Sequence, residues 1–266
     1  MSTEGRVVVV TGASGGIGQA ICSRLVAEGY AIIAQYHRGE EKAKHLRDRV
    51  NDAGGHLSLV RADLREQDAV DRIAAEAARA EEDGLVLHGL VNNAAKLLSP
   101  SFLDTTPKDF DEYFAINVKA PLFLSQALMP RIRTGGAIVN VSSASAHFSS
   151  SGDLVYAMSK AALESLTVNM AEAIAPSGVR VNYVIPGFTN NGHRAFGDER
   201  VREYMSSFSV LGNVSQPADV AAGVHFLLSD ESSRTTGTGL DVSGGSTLGA
   251  RGRRENSVSA LLDREA

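Results

Sequence analysis

Short apolar runs alternate with longer segments of helical polar and apolar spacing along most of the chain. The runs are rich in β-branched residues, as is typical of buried parallel strands, and span 6–10, 31–35, 56–60, 85–91, 137–141, 180–185 and 239–242. Helical spacing covers 19–28, 40–53, 67–82, 107–128, 156–164 and 216–229, with a further short helix at 199–207. This alternation predicts an α/β fold: a single-domain, doubly wound parallel sheet with helices on both faces.

Length and charge are consistent with one globular domain. The chain has 266 residues, of which 43% are hydrophobic and 21% charged, and its formal net charge is -5. This charge gives no reason to expect nucleic acid or an anionic membrane as a partner. We see no run of 18 apolar residues and no secretory signal, so we expect a cytoplasmic protein without a membrane span. We expect one domain over residues 1–248 and a mobile, arginine-containing tail over 249–266.

A glycine-rich turn follows the first predicted strand and precedes a predicted helix. It reads Thr11-Gly12-Ala13-Ser14-Gly15-Gly16-Ile17-Gly18. Between a strand and a helix, such glycines allow a tight turn and the close approach of a pyrophosphate to N–H groups at the helix N-terminus. The alternative is a plain strand-to-helix turn that binds nothing.

The end of the second predicted strand carries Tyr36, His37 and Arg38 and no acidic residue. An acid at this place would accept hydrogen bonds from the adenosine ribose and favour NAD. Arg38, helped by His37, is instead suited to pair with the 2′-phosphate of NADP. We therefore predict that NADP(H) is favoured over NAD(H). The alternative is that Arg38 is a solvated loop residue.

Tyr156 and Lys160 lie four residues apart in a predicted helix, so their side chains are expected on one face. A neighbouring ammonium favours the phenolate, and the lowered tyrosine pKa would make the pair an acid/base group near neutral pH. Thirteen positions upstream, Ser143 follows a predicted strand, where its hydroxyl can hydrogen-bond a substrate oxygen. Taken alone, the spacing also fits an ordinary helix with an exposed lysine and a half-buried tyrosine.

Several polar and glycine-containing motifs occupy the same position relative to the predicted strands. The glycine turn, Asp63, Asn93, Ser143 and Pro186-Gly187 all follow strands directly. Ligands of doubly wound sheets bind at the carboxyl ends of strands. The shared placement therefore predicts a single cofactor cleft. No metal site is predicted.

Jointly, these motifs resemble those of the short-chain dehydrogenase/reductase family over roughly residues 5–245. The matching features are the glycine turn at 11–18, Asn-Asn-Ala at 92–94, Asn117, the spacing of Ser143, Tyr156 and Lys160, and Pro186-Gly187. Within the family, the chain looks most like 3-oxoacyl-carrier-protein reductases and related bacterial ketoreductases. The resemblance implies a Rossmann fold and NADPH-dependent reduction of a ketone or 3-oxoacyl carbonyl to a secondary alcohol by hydride transfer. The substrate would be a small molecule or would be bound to a carrier.

The resemblance also implies residue roles. Tyr156 would be the general acid, and Lys160 would lower its pKa and bind the nicotinamide ribose. Ser143 would polarise the carbonyl, and Asn117 would hold a water in a proton relay. The expected cofactor contacts, beyond Tyr156 and Lys160, are Gly12, Ser14, Gly15, Gly16, Ile17, Gly18, Tyr36, His37, Arg38, Asp63, Leu64, Asn93, Pro186, Gly187 and Thr189.

Two other functions remain open at this point. An NAD-dependent alcohol or polyol dehydrogenase is disfavoured by the missing acid at position 36, and a non-catalytic cofactor-binding regulator by the intact catalytic residues. The family implies a homo-oligomer, expected as a homotetramer with a dimer as the alternative, through helices near 110–129 and 156–175. The polar segment 190–211 is predicted to be a lid with one amphipathic helix near its centre.

Overall fold

Seven parallel strands form one sheet in the computed structural model, which describes residues 3, 5–149, 152–192 and 194–249. The strands are β1 Arg6–Val10, β2 Ala31–Tyr36, β3 Leu57–Arg61, β4 Val86–Asn92, β5 Ala137–Val141, β6 Arg180–Pro186 and β7 Gly239–Val242. Their order is β3-β2-β1-β4-β5-β6-β7, and each neighbouring pair runs parallel. The strand order reverses at β1, which places the ligand crevice between β1 and β4.

Helices cover both faces of this sheet, as predicted. They are α1 Gly16–Ala27, α2 Glu40–Asp52, α3 Ala69–Glu82, α4 Pro107–Phe114, α5 Ala120–Leu128, α6 Leu154–Ala173, α7 Glu199–Ser206 and α8 Pro217–Leu228. One hydrophobic core contains Val8 and side chains of α1, α2 and α8, whereas the other contains Val7 and side chains of α3, α5 and α6. Neighbouring residues of a strand point to opposite faces, so Val7 and Val8 belong to different cores.

The strand bounds agree with the sequence prediction to within one residue, and the helix predicted over 107–128 covers those residues with a π turn inside it. Ala115–Lys119 forms a π turn, in which the amide of Ala120 donates to the carbonyl of Ala115. Pro121 supplies the physical reason. Proline has no N–H to donate to the carbonyl four residues earlier, which is that of Asn117. The bounds predicted for this helix are therefore confirmed, and the π turn inside it is an irregularity for which Pro121 was the visible signal.

The remaining predictions about overall organisation concern the tail and the membrane. Residues 250–266, most of the predicted tail, lie outside the described residues. Within the described ranges, no helix combines the length and apolar character that crossing a bilayer requires.

Candidate active site

One face of α6 packs against the end of β5 and brings Ser143, Tyr156 and Lys160 together. Ser143 lies two residues beyond β5, near enough to the phenol of Tyr156 for its hydroxyl to lower the pKa of that phenol. One helical turn further on, Lys160 is only 2% exposed, and its Nζ donates to the carbonyl of Val141 at 2.7 Å. The same Nζ lies 5.7 Å from the centroid of the Tyr156 ring. The structure therefore places the three residues side by side, as the sequence predicted.

Burial dominates the proton affinities of this pair. It raises the pKa of Tyr156 to about 12, and the nearby hydroxyl of Ser143 acts in the opposite direction without cancelling this effect. Burial likewise lowers the pKa of Lys160 to about 7, against an opposing effect of Glu164. The tyrosine pKa is thus raised overall because loss of water dominates, and the predicted lowering of this pKa by Lys160 stays a prediction. Such a phenol keeps its proton at neutral pH and is suited to act as an acid.

Asn117 is fully buried in the π turn, where it connects the loop after β4 to α6. Its Oδ1 accepts from the amide of Lys96 at 2.9 Å, and its Nδ2 donates to Ser159 Oγ at 2.9 Å. Ser159 directly precedes Lys160, so Asn117 supports the segment that carries the buried amine. Its side chain is thus committed to protein groups. The water relay that the family resemblance implies for Asn117 therefore stays a prediction.

The glycine turn lines the crevice between β1 and β4. Gly12 has φ +65°, and a Cβ on it would lie 2.8 Å from the Cα of Ala94. A Cβ on Gly18 would lie 2.3 Å from the carbonyl oxygen of Gly12. Asn93 holds the turn to β4, because its Nδ2 donates to the carbonyl of Thr11 at 2.8 Å. Side chains larger than hydrogen would force the backbone apart at both glycines.

The N-terminus of α1 suits a negatively charged group. Gly15 precedes the helix without a side-chain hydrogen bond, and the first turn contains no acidic residue. Unpaired N–H groups and the helix dipole at such a terminus attract phosphate. The residues present therefore fit a nicotinamide dinucleotide, whose pyrophosphate Gly15, Gly16 and Ile17 would hold.

Gln35 is a positioning residue that the sequence pattern did not single out. It is 1% exposed near the end of β2. Its Oε1 accepts from the amide of Gly12 at 2.9 Å, and its Nε2 donates to the carbonyl of Ala62 at 2.7 Å. Gln35 thereby joins the glycine turn to the end of β3. The available signal was a polar residue within an otherwise apolar strand.

The residues predicted to contact the adenosine lie at the ends of β2 and β3. Arg65 pairs with Asp63 at 2.6 Å and holds the pKa of that carboxyl below its usual range, while His37 Nε2 lies 3.5 Å from the same carboxylate. Tyr36 is buried and Leu64 half-buried. Arg38 is exposed, and its carbonyl accepts from Ser14 Oγ at 2.9 Å. Its guanidinium makes no ion pair with any described residue, so Arg38 is a cation beside the glycine turn.

The chain that leaves β6 lies across the crevice from the glycine turn. Pro186 is the last residue of β6, and Thr189 Oγ1 donates to the carbonyl of Gly187 at 3.0 Å. Two residues later, the carbonyl oxygen of Asn191 lies only 2.5 Å from where a Cβ on Gly16 would stand. The predicted nicotinamide contacts and the predicted pyrophosphate contacts therefore face each other.

Four aromatic rings connect the predicted lid to the catalytic loops. The centroid of Phe208 lies 5.7 Å from Phe148, 5.2 Å from Phe188 and 5.2 Å from Tyr204. Phe148 follows the Ser143 loop and Phe188 follows β6, so Phe208 packs beside both. The short helix predicted at 199–207 is confirmed as α7, which ends just before this ring. The lid itself stays a prediction.

The chain is similar in sequence and fold to known oxidoreductases. A family model described as enoyl-(acyl carrier protein) reductase matches residues 12–247. The angucycline C-6 ketoreductase LanV with bound NADP shares 35% identity, with 93% of this chain and 97% of that chain covered and a TM-score of 0.89. A short-chain dehydrogenase from Burkholderia cenocepacia in complex with NADP shares 32% identity, with 92% of this chain and 99% of that chain covered and a TM-score of 0.85. An uncharacterized oxidoreductase of Methylorubrum extorquens is 33% identical over 91% of this chain and 98% of its own.

We expect Lys160→Met to stabilise the folded protein at pH 7. The folded-state pKa of about 7 lies below the ordinary value of 10.5, so the unfolded chain binds this proton more tightly. The resulting penalty on folding is complete below pH 7 and declines as the pH rises toward 10.5. Methionine removes the charge at similar length, and the gain should be about 1–3 kcal/mol at pH 7.

Thermal unfolding of both proteins at pH 7 and pH 9 checks this expectation. The gain should be smaller at pH 9, because wild-type Lys160 is then largely neutral. Lys119→Met, at an exposed position of the π turn, is the control and should show no such pH trend. Equal stability differences between Lys160→Met and wild type at the two pH values would contradict the lowered pKa of Lys160 in the folded protein.

Proposed function

The chain belongs to the short-chain dehydrogenase/reductase family, and on that premise we propose that it reduces a ketone to a secondary alcohol, with NADPH as the preferred cofactor and Tyr156 as the general acid. The observation that carries the proposal is the placement of Tyr156 on α6, one turn from the buried Lys160, whose Nζ lies 5.7 Å from the centroid of the Tyr156 ring. NADP-bound neighbours of similar fold support nicotinamide chemistry. When bound, the cofactor supplies the hydride.

Ser143 and Tyr156 act on the same substrate oxygen. Their hydroxyls both donate toward the carbonyl oxygen and hold it in one place. As negative charge develops on that oxygen, Tyr156 transfers its proton to it. The ammonium of Lys160, one turn away on α6, then stabilises the phenolate that is left. Burial keeps competing water away from this transfer.

The substrate ketone is an apolar, ring-bearing molecule. The aromatic cluster around Phe208 lies beside the catalytic loops. The loop after β4 and the segment after α7 add exposed apolar side chains, namely Leu97, Leu98, Phe102, Leu103, Val210 and Leu211. Such surfaces favour apolar ligands, and the angucycline ketoreductase neighbour supports this substrate class. A 3-oxoacyl group bound to a carrier is the alternative.

We expect the wild type to oxidise NADPH with polycyclic aromatic ketones at a higher kcat/KM than with short 3-oxoacyl thioesters. Tyr156→Phe should lower kcat by about 10²–10⁴-fold, because general acid catalysis contributes that much, while NADPH affinity stays near the wild-type value. Steady-state kinetics and a binding titration separate the two effects. A loss of less than about tenfold would show that Tyr156 is not the acid, and a wild type inactive with every ketone would overturn the reductase proposal.

We expect Arg38→Ala to remove most of the preference for NADPH. A charge-assisted hydrogen bond contributes about 1.5–3 kcal/mol, so kcat/KM for NADPH should fall by roughly ten- to a hundredfold while that for NADH changes little. Arg47→Ala is the matched control, since Arg47 is a half-buried arginine of α2 paired with Asp48. Equal use of NADPH and NADH by the wild type would be incompatible with this assignment.

We propose a homotetramer, and the exposed apolar side chains of the helices between β4 and β6 support it. They are Phe110, Leu122, Phe123, Met158 and Val168. A second copy of the chain would remove these side chains from water. Light scattering should give about four times the chain mass of 28.1 kDa, and Phe123→Asp should shift it downward. A wild type that stays at 28.1 kDa at micromolar concentration would refute the tetramer.

A further inference from the structure

Successive turns of α6 face the residues from 141 to 143, at and just beyond the end of β5. Tyr156 lies near enough to Ser143 for the serine hydroxyl to act on its pKa, Lys160 donates to the carbonyl of Val141, and Glu164 accepts from Ser142. The three helix residues are four positions apart and therefore share one face. The first two contacts involve the proposed catalytic side chains. The third brings a carboxylate to the same strand end, and the mechanism above gives it no role.

Glu164 holds both sides of the loop that contains Ser143. Its Oε1 accepts a hydrogen bond from Ser142 Oγ and lies 3.0 Å from His147 Nε2. The carboxylate side chain is only 13% exposed, and Ser142 is buried. Hydrogen bonds to a charged group are stronger when water is largely excluded. The positions on both sides of Ser143 are thus tied to α6 through one side chain.

The charge of Glu164 also acts on Lys160. It opposes the effect of burial and raises the pKa of the Lys160 amine. Burial raises the pKa of Tyr183 on β6, and the charge of Glu164 adds to that effect. The titratable groups around the two charges are Tyr156 on α6, His147 after β5, Tyr183 on β6 and, next to His147, Asp241 on β7.

We propose that Glu164 is a positioning residue for carbonyl reduction, which fixes the Ser143 loop through Ser142 and His147 and places a carboxylate one helical turn from Lys160. The inference rests on the proposed function, because the ammonium stabilises the phenolate left by proton transfer. A neutral amine at Lys160 would give that phenolate much weaker stabilisation. The functional residues on α6 therefore include Glu164, one helical turn beyond Lys160.

Glu164→Gln tests the charge, since the amide oxygen can still accept from Ser142. The titration of Lys160 is followed by NMR of protein with ¹³C at the lysine ε-carbon, and Lys160→Met identifies its signal. The midpoint should fall by about one pKa unit, the lower end of the effect of a nearby opposite charge. Glu172→Gln, at an exposed position of the same helix, should leave it unchanged. This measurement needs neither substrate nor cofactor.

The kinetic signature is a rate defect that depends on pH. At pH 8, kcat of Glu164→Gln should be about tenfold below wild type with little change in KM. The ratio of variant to wild-type kcat should rise toward one as the pH is lowered to 6, because Lys160 regains its proton below its midpoint. A merely structural role would lower the ratio equally at every pH.

Ser142→Ala tests the contact separately, since it keeps both charges and removes the hydroxyl. It should lower kcat about threefold to tenfold and leave the Lys160 midpoint unchanged. Wild-type kinetics in Ser142→Ala would overturn the positioning of the loop, and an unmoved midpoint in Glu164→Gln would overturn the effect on Lys160.

If Glu164→Gln does not fold, Glu164→Asp replaces it. This variant keeps the charge but retracts it from Ser142, so an unchanged kcat would count against the proposal. If the Lys160 midpoint shifts in Glu164→Gln but the wild type reduces no ketone, the proposed function is wrong while the effect of Glu164 on Lys160 stands.

Discussion

The site depends on an amine buried between a helix and the end of a strand. Lys160 reaches the carbonyl of Val141 only because α6 packs closely on β5, and the same packing excludes water from the phenol of Tyr156. The two pKa changes have one cause. The exclusion of water from this contact raises the pKa of Tyr156 and lowers the pKa of Lys160, because burial disfavours the charged form of each. The packing of α6 on β5 is unfavourable for the charge of Lys160, and it also sets the protonation states on which the proposed reaction depends.

The parts of the molecule that sequence can predict are those with local causes. The β-branched run that forms β1 and the glycines at 12 and 18 reflect backbone requirements of their own segments. The face shared by Tyr156 and Lys160 follows from helix periodicity alone. The relative placement of these segments also followed, because parallel strands bring their carboxyl ends to one edge.

What sequence could not predict arises from contacts between distant segments. Gln35 joins Gly12 to Ala62, a relation that becomes visible only when β2 lies between β1 and β3. The pKa of Tyr156 depends on how completely α6 is covered, and the spacing to Lys160 suggests the opposite direction. Pro121 is the intermediate case. The missing N–H can be read from the sequence, yet the π turn around Asn117 forms only because both residues lie within one helix.

The backbone after β6 has a consequence for how ligands associate. Asn191 lies against Gly16 in the glycine turn, and seventeen residues later Phe208 packs on Phe148 beside the catalytic serine loop. One continuous segment therefore touches the walls of both halves of the crevice. Whatever displaces or orders it at one end changes the free energy of binding at the other, and this linkage is reciprocal.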